Sequence, residues 1–544
     1  MSKIPNIGKL ESGYFLGQLE IRLIRNYLNN MEQTRQEVGY AVSSRDFLVF
    51  LDGMPTVKIN DLVVSESGKR GWVHSLLRNE VEVLMLDEGV ITAGEMFKRS
   101  DSRLSIGMGE HLLGRAINPL GVPLDGKRTF TTGKEVRSEL DRKAPNIDMR
   151  KFIKEQFVTG ITLIDSLIPL GKGQRELVVG DAHSGKTAFS MDLILNQKDN
   201  NVICIYASIG KPISQLKSFL EVLKSTGAMS YCVVIAASSS EAAPLIYLTP
   251  QTAFTIAEYF QKSGRDVLLL LDDIGSHAKI YREISLLSGR NPGRESFPGD
   301  IFYQHSHLFE RAGNFRDENG GGSITALPIL EVNLSDFATF LPTNLVGMTD
   351  GHLLFNSNLR NQGTTPAIDI SLSVTRVGRQ TQKRIQNLLS GKIRDLFARS
   401  VELETISKFS AELPFQTRLI LKQKEVLEEL LNQENATRIP VSSQIGLLGL
   451  TFTPFFLDKD VEVIKKFKEP ILKAFLEDPV LKGFLDKVEA FENWEEFIKE
   501  LTVMLPAITK YLQMEKPEVP ADQQPASAVP AASAAPSVPE EGGK

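Results

Sequence analysis

A chain of 544 residues can hold several folded units, and 42% hydrophobic with 24% charged residues is the composition of a soluble globular protein rather than a disordered or membrane-embedded one. A formal net charge of −5, from 62 basic and 67 acidic residues, supplies no basic excess for tracking nucleic-acid phosphates, which argues against a nucleic-acid partner. No run reaches the roughly 18 apolar residues of a spanning helix; the longest, Ile445 to Phe456, is broken by Gly449, Thr451, Thr453 and Pro454.

The opening Met1-Ser2-Lys3-Ile4-Pro5 has neither a secretory apolar core nor an Arg-rich transit character, so an interior compartment without signal-directed export is expected. From Leu16 through Leu19, Leu23, Ile24, Tyr27 and Leu28 to Met31, apolar residues recur at three- and four-residue steps. This predicts one helix within an N-terminal segment 1–34, its apolar face lying on its own domain or on another protein. Short segments follow at Phe47 to Leu51, Leu62 to Val64, Trp72 to Leu77 and Val81 to Leu86, punctuated by glycines, and predict a small β-barrel over 35–105.

Over 106–385, apolar strands at Leu177 to Val179, Val202 to Ala207, Val233 to Ala236 and Val267 to Leu271 alternate with helical stretches, the pattern of a mostly parallel sheet covered by helices. Cys204 and Cys232 fall inside such runs and read as core thiols rather than redox or metal groups. Leu388 to Phe409, Gln416 to Leu431 and Val461 to Leu485 have helical periodicity, so 386–516 is predicted to be an all-helical bundle. Residues 517–544 are Pro, Ala and Ser with almost no large apolar side chains, and are expected to be disordered. The fold class is thus multidomain α/β, with an N-terminal β-barrel, a central α/β domain and a C-terminal helical bundle.

The strongest chemical signal is Gly180-Asp181-Ala182-His183-Ser184-Gly185-Lys186-Thr187, a phosphate-binding loop between the apolar run ending at Val179 and a helix carrying Phe189, Leu193 and Ile194. In such a loop, backbone N–H groups and the helix N-terminus converge on phosphate oxygens, Lys186 neutralises the outer phosphates, and the Thr187 hydroxyl takes a magnesium position. The strand Val267 to Leu271 ends in Asp272-Asp273. A carboxylate there orients magnesium through water; Asp272 is the choice and Asp273 the reserve. With no second His or Cys at ligand spacing, His183 reads as a loop residue rather than a metal ligand.

Beyond the loop, many segments resemble the alpha subunit of F-type ATP synthase. They include Leu112 to Gly121, Gly173-Gln174-Arg175-Glu176-Leu177, Tyr281-Arg282-Glu283, Pro292-Gly293-Arg294-Glu295, Pro298-Gly299-Asp300, Ser323 to Pro328, Pro342-Thr343-Asn344 and Ser373-Val374-Thr375-Arg376-Val377-Gly378. They run in the family's order over roughly 35 to 435. The resemblance implies an ATP- or ADP-binding, magnesium-using, non-catalytic subunit in a hexamer alternating with catalytic beta subunits around a central rotary stalk. The N-terminal helix would meet a peripheral stalk. Membrane contact would come only through the complex, on the cytoplasmic face of a bacterial membrane or inside an energy-converting organelle, with ATP synthesis or hydrolysis coupled to ion transport.

The resemblance makes Arg376 an arginine finger acting in trans on the phosphates held by beta. Beta-type chains carry a water-polarising glutamate directly after the glycine that ends the next strand. Here Ile209-Gly210 is followed by Lys211, whose ammonium has donors and no acceptor. The chain also departs from the usual alpha pattern: Ala182-His183-Ser184 replaces Arg-Gln-Thr, Arg360 stands where an aromatic ring is usual, and Thr365 replaces an arginine. Of two base-contacting glutamines Gln433 is kept and Asn435 replaces the other. Weaker or less base-selective binding is the expectation. Two alternatives remain, an autonomous ring ATPase and a purely architectural ring member that binds no nucleotide.

Overall fold

The computed structural model describes residues 37–128, 136–407 and 414–514. The predicted helix at Leu16 to Met31 and the tail 517–544 lie outside them. Six antiparallel strands, Val38–Arg45, Leu48–Asp52, Asp61–Ser65, Arg70–Leu76, Val81–Met85 and Met96–Arg103, close into a barrel. Its interior is apolar, filled by Val49, Leu51, Val63, Val73, Val83 and Phe97. The first and last of these strands close the ring, yet neither stands out in the sequence. Met96–Arg103 is mostly polar because one face of a small barrel's strand meets water.

The central domain is built on a nine-stranded sheet. From one edge, the order is Val374–Thr375, Gly351–Phe355, Leu177–Gly180, Ser323–Glu331, Asp266–Asp272, Val202–Lys211, Cys232–Ser238 and Arg115–Ile117, with Gly313–Asn314 as a short addition against Ser323–Glu331. Apart from that addition and the pair at the first edge, which are antiparallel, neighbours run parallel. Parallel strands need crossover connections, and the helices that supply them cover both faces, so the strands are apolar on both sides. Val178, Tyr206, Leu268 and Leu270 point into one core, which extends into the C-terminal helices. Leu177, Val179, Ile205, Leu269 and Leu271 point into the other, which reaches the barrel through Leu48, Phe50 and Trp72. Cys204 and Cys232 are register partners on adjacent strands, both buried.

The C-terminal region is helical, with Arg384–Ser407, Phe415–Leu431, Val441–Gly449, Val461–Glu477, Pro479–Val488 and Trp494–Met514. The single helical stretch expected from Val461 to Leu485 is two helices. Pro479 cannot donate to a continuing helix, and Asp478 accepts from the backbone N–H groups of Val480 and Leu481 to start the next one. Among the described residues no helix is long and apolar enough to cross a membrane.

Candidate functional site

The loop strand Leu177–Gly180 ends at the C-terminal edge of the sheet, where parallel α/β sheets place their ligands. At Gly180 only a glycine fits, because an added Cβ would lie 2.2 Å from the Phe355 carbonyl oxygen on the neighbouring strand. The chain then turns through His183 (φ 59°) and Gly185 (φ 104°), and Lys186 opens the helix Lys186–Leu195. Phe189, Leu193 and Ile194 bury one stripe of that helix, so the first turn is fixed while Ala182, His183 and Thr187 face solvent.

Lys186 is 7% exposed. Its Nζ donates to the Gly180 carbonyl at 3.0 Å, to the Asp181 carbonyl and to Ser184 Oγ at 3.4 Å, and lies 3.8 Å from Glu331. Burial pulls its pKa below the usual lysine value, against the pull of Glu331, Asp272 and Asp273. An ammonium buried without a full counter-charge, at the mouth of a helix N-terminus, is an arrangement that an anion completes. Asp181 Oδ2 accepts from Ser357 Oγ at 2.8 Å, which ties the short helix Ser357–Asn361 to the loop. Arg360 on that helix lies so close that a Cβ on Gly185 would be 2.7 Å from its Nη1.

The aspartate pair separates by role. Asp273 caps the helix Ile274–Leu287, its Oδ1 accepting from Gly275 N at 2.8 Å. Asp272 ends its strand beside Ser208, 1% exposed, with both oxygens engaged: Lys211 Nζ stands 2.6 Å from Oδ1, and the Tyr206 hydroxyl donates to Oδ2 at 2.7 Å. For a magnesium ion the donor set is therefore a poor fit. The Thr187 hydroxyl is exposed, but a cation approaching Asp272 meets the Lys211 ammonium already on Oδ1.

Gln433, 4% exposed, is also spent. Its Oε1 accepts from the Thr162 backbone and hydroxyl, both at 2.9 Å, and its Nε2 donates to the Gly160 carbonyl at 2.9 Å and the Thr437 carbonyl at 2.6 Å. Two acceptor and two donor positions are all a glutamine has. It therefore stitches the helical region to the segment before the loop strand, and a base could use it only by breaking those bonds.

Arg376 sits at the other end of the sheet. Gly351 pairs with Thr375, whereas Phe355 pairs with Gly180, so about 13 Å of strand separates Arg376 from the level of the loop. Its backbone N–H donates to the Asp350 carbonyl at 2.9 Å and its Nη2 to the Val346 carbonyl at 3.0 Å; the residue is exposed.

The platform beneath it comes from the run before the loop strand. Arg175 grips both Asp350 carboxylate oxygens, at 2.8 and 3.1 Å, and Gln174 Nε2 donates to Thr375 Oγ1 at 3.1 Å and to Glu176 Oε2 at 2.7 Å. Burial pushes the Glu176 carboxyl well above its ordinary value. The backbone packs tightest at Gly378, where a Cβ would fall 1.5 Å from the Pro169 carbonyl oxygen.

Sequence reasoning located the loop, the Asp272 strand and Arg376. It missed Tyr206, Glu331 and Ser357, which no motif marks; Arg360, expected at the adenine end, lies beside Gly185.

A closed barrel, a parallel sheet with a phosphate loop at its C-terminal edge and a helical region define a multidomain phosphate-loop nucleotide-binding protein. Residues 160–375 match the nucleotide-binding domain of the ATP synthase alpha/beta family, and residues 382–507 match that family's C-terminal domain. The ATP synthase subunit alpha of Mycoplasmoides gallisepticum is 39% identical, covering 90% of this chain and 93% of the relative. Those of Aquifex aeolicus (38%, over 88% and 96%) and Mycoplasma pneumoniae (37%, over 92% and 98%) are comparably similar. The chain belongs to the ATP synthase alpha/beta family, on its alpha-subunit branch.

Proposed function

We propose that this chain is the non-catalytic, nucleotide-binding subunit of a rotary F-type ATP synthase, holding ATP or ADP on Gly180 to Thr187 and lending Arg376 to a catalytic beta neighbour. The observation that carries the reading is Lys211 on Asp272. Where a hydrolysing site needs an acceptor for a proton from water, this one presents an ammonium bound to the nearest carboxylate.

The loop binds phosphate through backbone N–H groups, the helix N-terminus and Lys186. A bound cation supplies charge neutralisation where one accompanies the nucleotide, and the exposed Thr187 hydroxyl can meet it. Arg376 would act on another subunit, where a guanidinium supplied in trans stabilises charge on a transferring phosphoryl group; its exposure and its distance from this chain's own loop support that reading. The complex would couple ATP synthesis or hydrolysis to ion transport, with this chain reaching the membrane only through its partners: beta subunits, a central stalk, and a peripheral stalk at residues 1–34.

The purified chain should hydrolyse no ATP alone and gain turnover only when assembled with a catalytic partner; hydrolysis by the isolated chain at motor-like rates would refute the proposal. An architectural subunit without nucleotide is the second reading, favoured by the saturated Gln433. Equilibrium ATP binding to the chain separates the two.

A further inference from the structure

The carboxylate that a phosphate-loop site offers to a metal already has a partner on each oxygen here. Asp272 is buried, with Lys211 Nζ 2.6 Å from one oxygen and the Tyr206 hydroxyl 2.7 Å from the other. A divalent cation would approach against the Lys211 ammonium and would share its ligand with that charge-assisted hydrogen bond. Asp272 and Gly180 end strands on either side of Ser323–Glu331, at the same edge of the sheet, so the Lys211 that sits on Asp272 belongs to the edge that carries the loop.

On the loop's other side the Arg360 guanidinium lies against Gly185, brought there by the Ser357 to Asp181 hydrogen bond. The middle of the loop, Ala182 to Ser184, contributes no Lys or Arg. Two cations from outside the loop therefore stand at its edge, Lys211 on Asp272 and Arg360 beside Gly185, one a point charge and one a planar fork matched to phosphate oxygens.

On the nucleotide-binding reading above, we propose that this site takes the polyphosphate of a nucleoside di- or triphosphate without requiring a divalent metal. Lys211 and Arg360 supply the charge neutralisation. Recognition then rests on phosphate more than on the base, whose glutamine is committed elsewhere, so inorganic tripolyphosphate should compete with ATP for the site.

The test is equilibrium titration of the full-length chain with ATP, in excess magnesium chloride and again in EDTA. The expected result is a Kd in EDTA within about threefold of the value with magnesium, with ATP displaced by tripolyphosphate in EDTA. Lys211→Gln keeps a donor for Asp272 but removes the charge; it should weaken binding in EDTA by about tenfold and recover with magnesium. Arg360→Ala, at an exposed position outside every core, should weaken binding in both buffers by about tenfold.

Wild-type binding that needs magnesium, or Lys211→Gln binding ATP in EDTA as well as wild type, would overturn this inference while the nucleotide-binding reading stands. A chain that binds ATP in neither buffer would overturn both.

Discussion

The two ends of the central sheet carry the same kind of charge by opposite constructions. At the C-terminal edge, Lys186 is buried and folded into its own loop, held by the Gly180 carbonyl and a distant Glu331. At the other end, Arg376 is exposed, and it is the backbone beneath it that is fixed, through Arg175, Asp350 and Gly378. A buried cation is suited to hold a ligand that stays, and an exposed one on a rigid base to reach a ligand that belongs to a neighbour. The difference lies in how much of the environment is committed before the partner arrives.

That comparison breaks most sharply at Arg376. Arg376→Ala should lower turnover of the assembled complex by about 10³ or more while size-exclusion chromatography shows an intact ring, since an arginine acting in trans contributes on that scale. Gly378→Ala leaves the guanidinium in place but drives a methyl into the Pro169 carbonyl. Turnover should fall by about tenfold to a hundredfold, with a loss of about 1–3 kcal/mol in denaturant stability, because the clash is with backbone and cannot be relieved by a rotamer. If this variant turned over normally, the rigid base would not matter.

At the loop end the expected effects are on binding. Lys186→Ala should remove nucleotide from this chain, measured by release from the denatured complex, while turnover falls by less than about tenfold. A larger loss of turnover would merge the two ends into one function.

The smallest effect concerns Asp192, on the loop helix, whose carboxyl burial raises to about 6 while its Oδ1 accepts from the Ala436 backbone. The unfolded chain titrates near 3.9, so between those values the native state holds the extra proton. Asp192 therefore costs no stability below about pH 4; stability falls as pH rises from about 4 to about 6 and levels off above that. Asp192→Asn, which keeps the acceptor, should be more stable than wild type by about 1 kcal/mol at pH 8 in urea unfolding, with the difference gone near pH 4.

The sequence by itself marked the order of barrel, parallel sheet and helical region, and named the two cations on which the proposed function rests. Short continuous apolar runs marked the buried strands, three- and four-residue steps marked the helices, and the loop pattern placed Lys186 and Thr187 between a strand and a helix, because each signal is local. The barrel's closing strands were not legible: half of their residues face water, and pairing rather than composition defines them.

Only the tertiary structure decided what Asp272, Gln433 and Arg360 meet. Their partners lie 61 residues back in the chain (Lys211 for Asp272), 271 residues away (Thr162 for Gln433) and 175 residues away (Gly185 for Arg360), distances at which no local pattern can register a contact. A motif names the groups that could meet a ligand. Which of them are still free to do so depends on the hydrogen bonds that folding has already used.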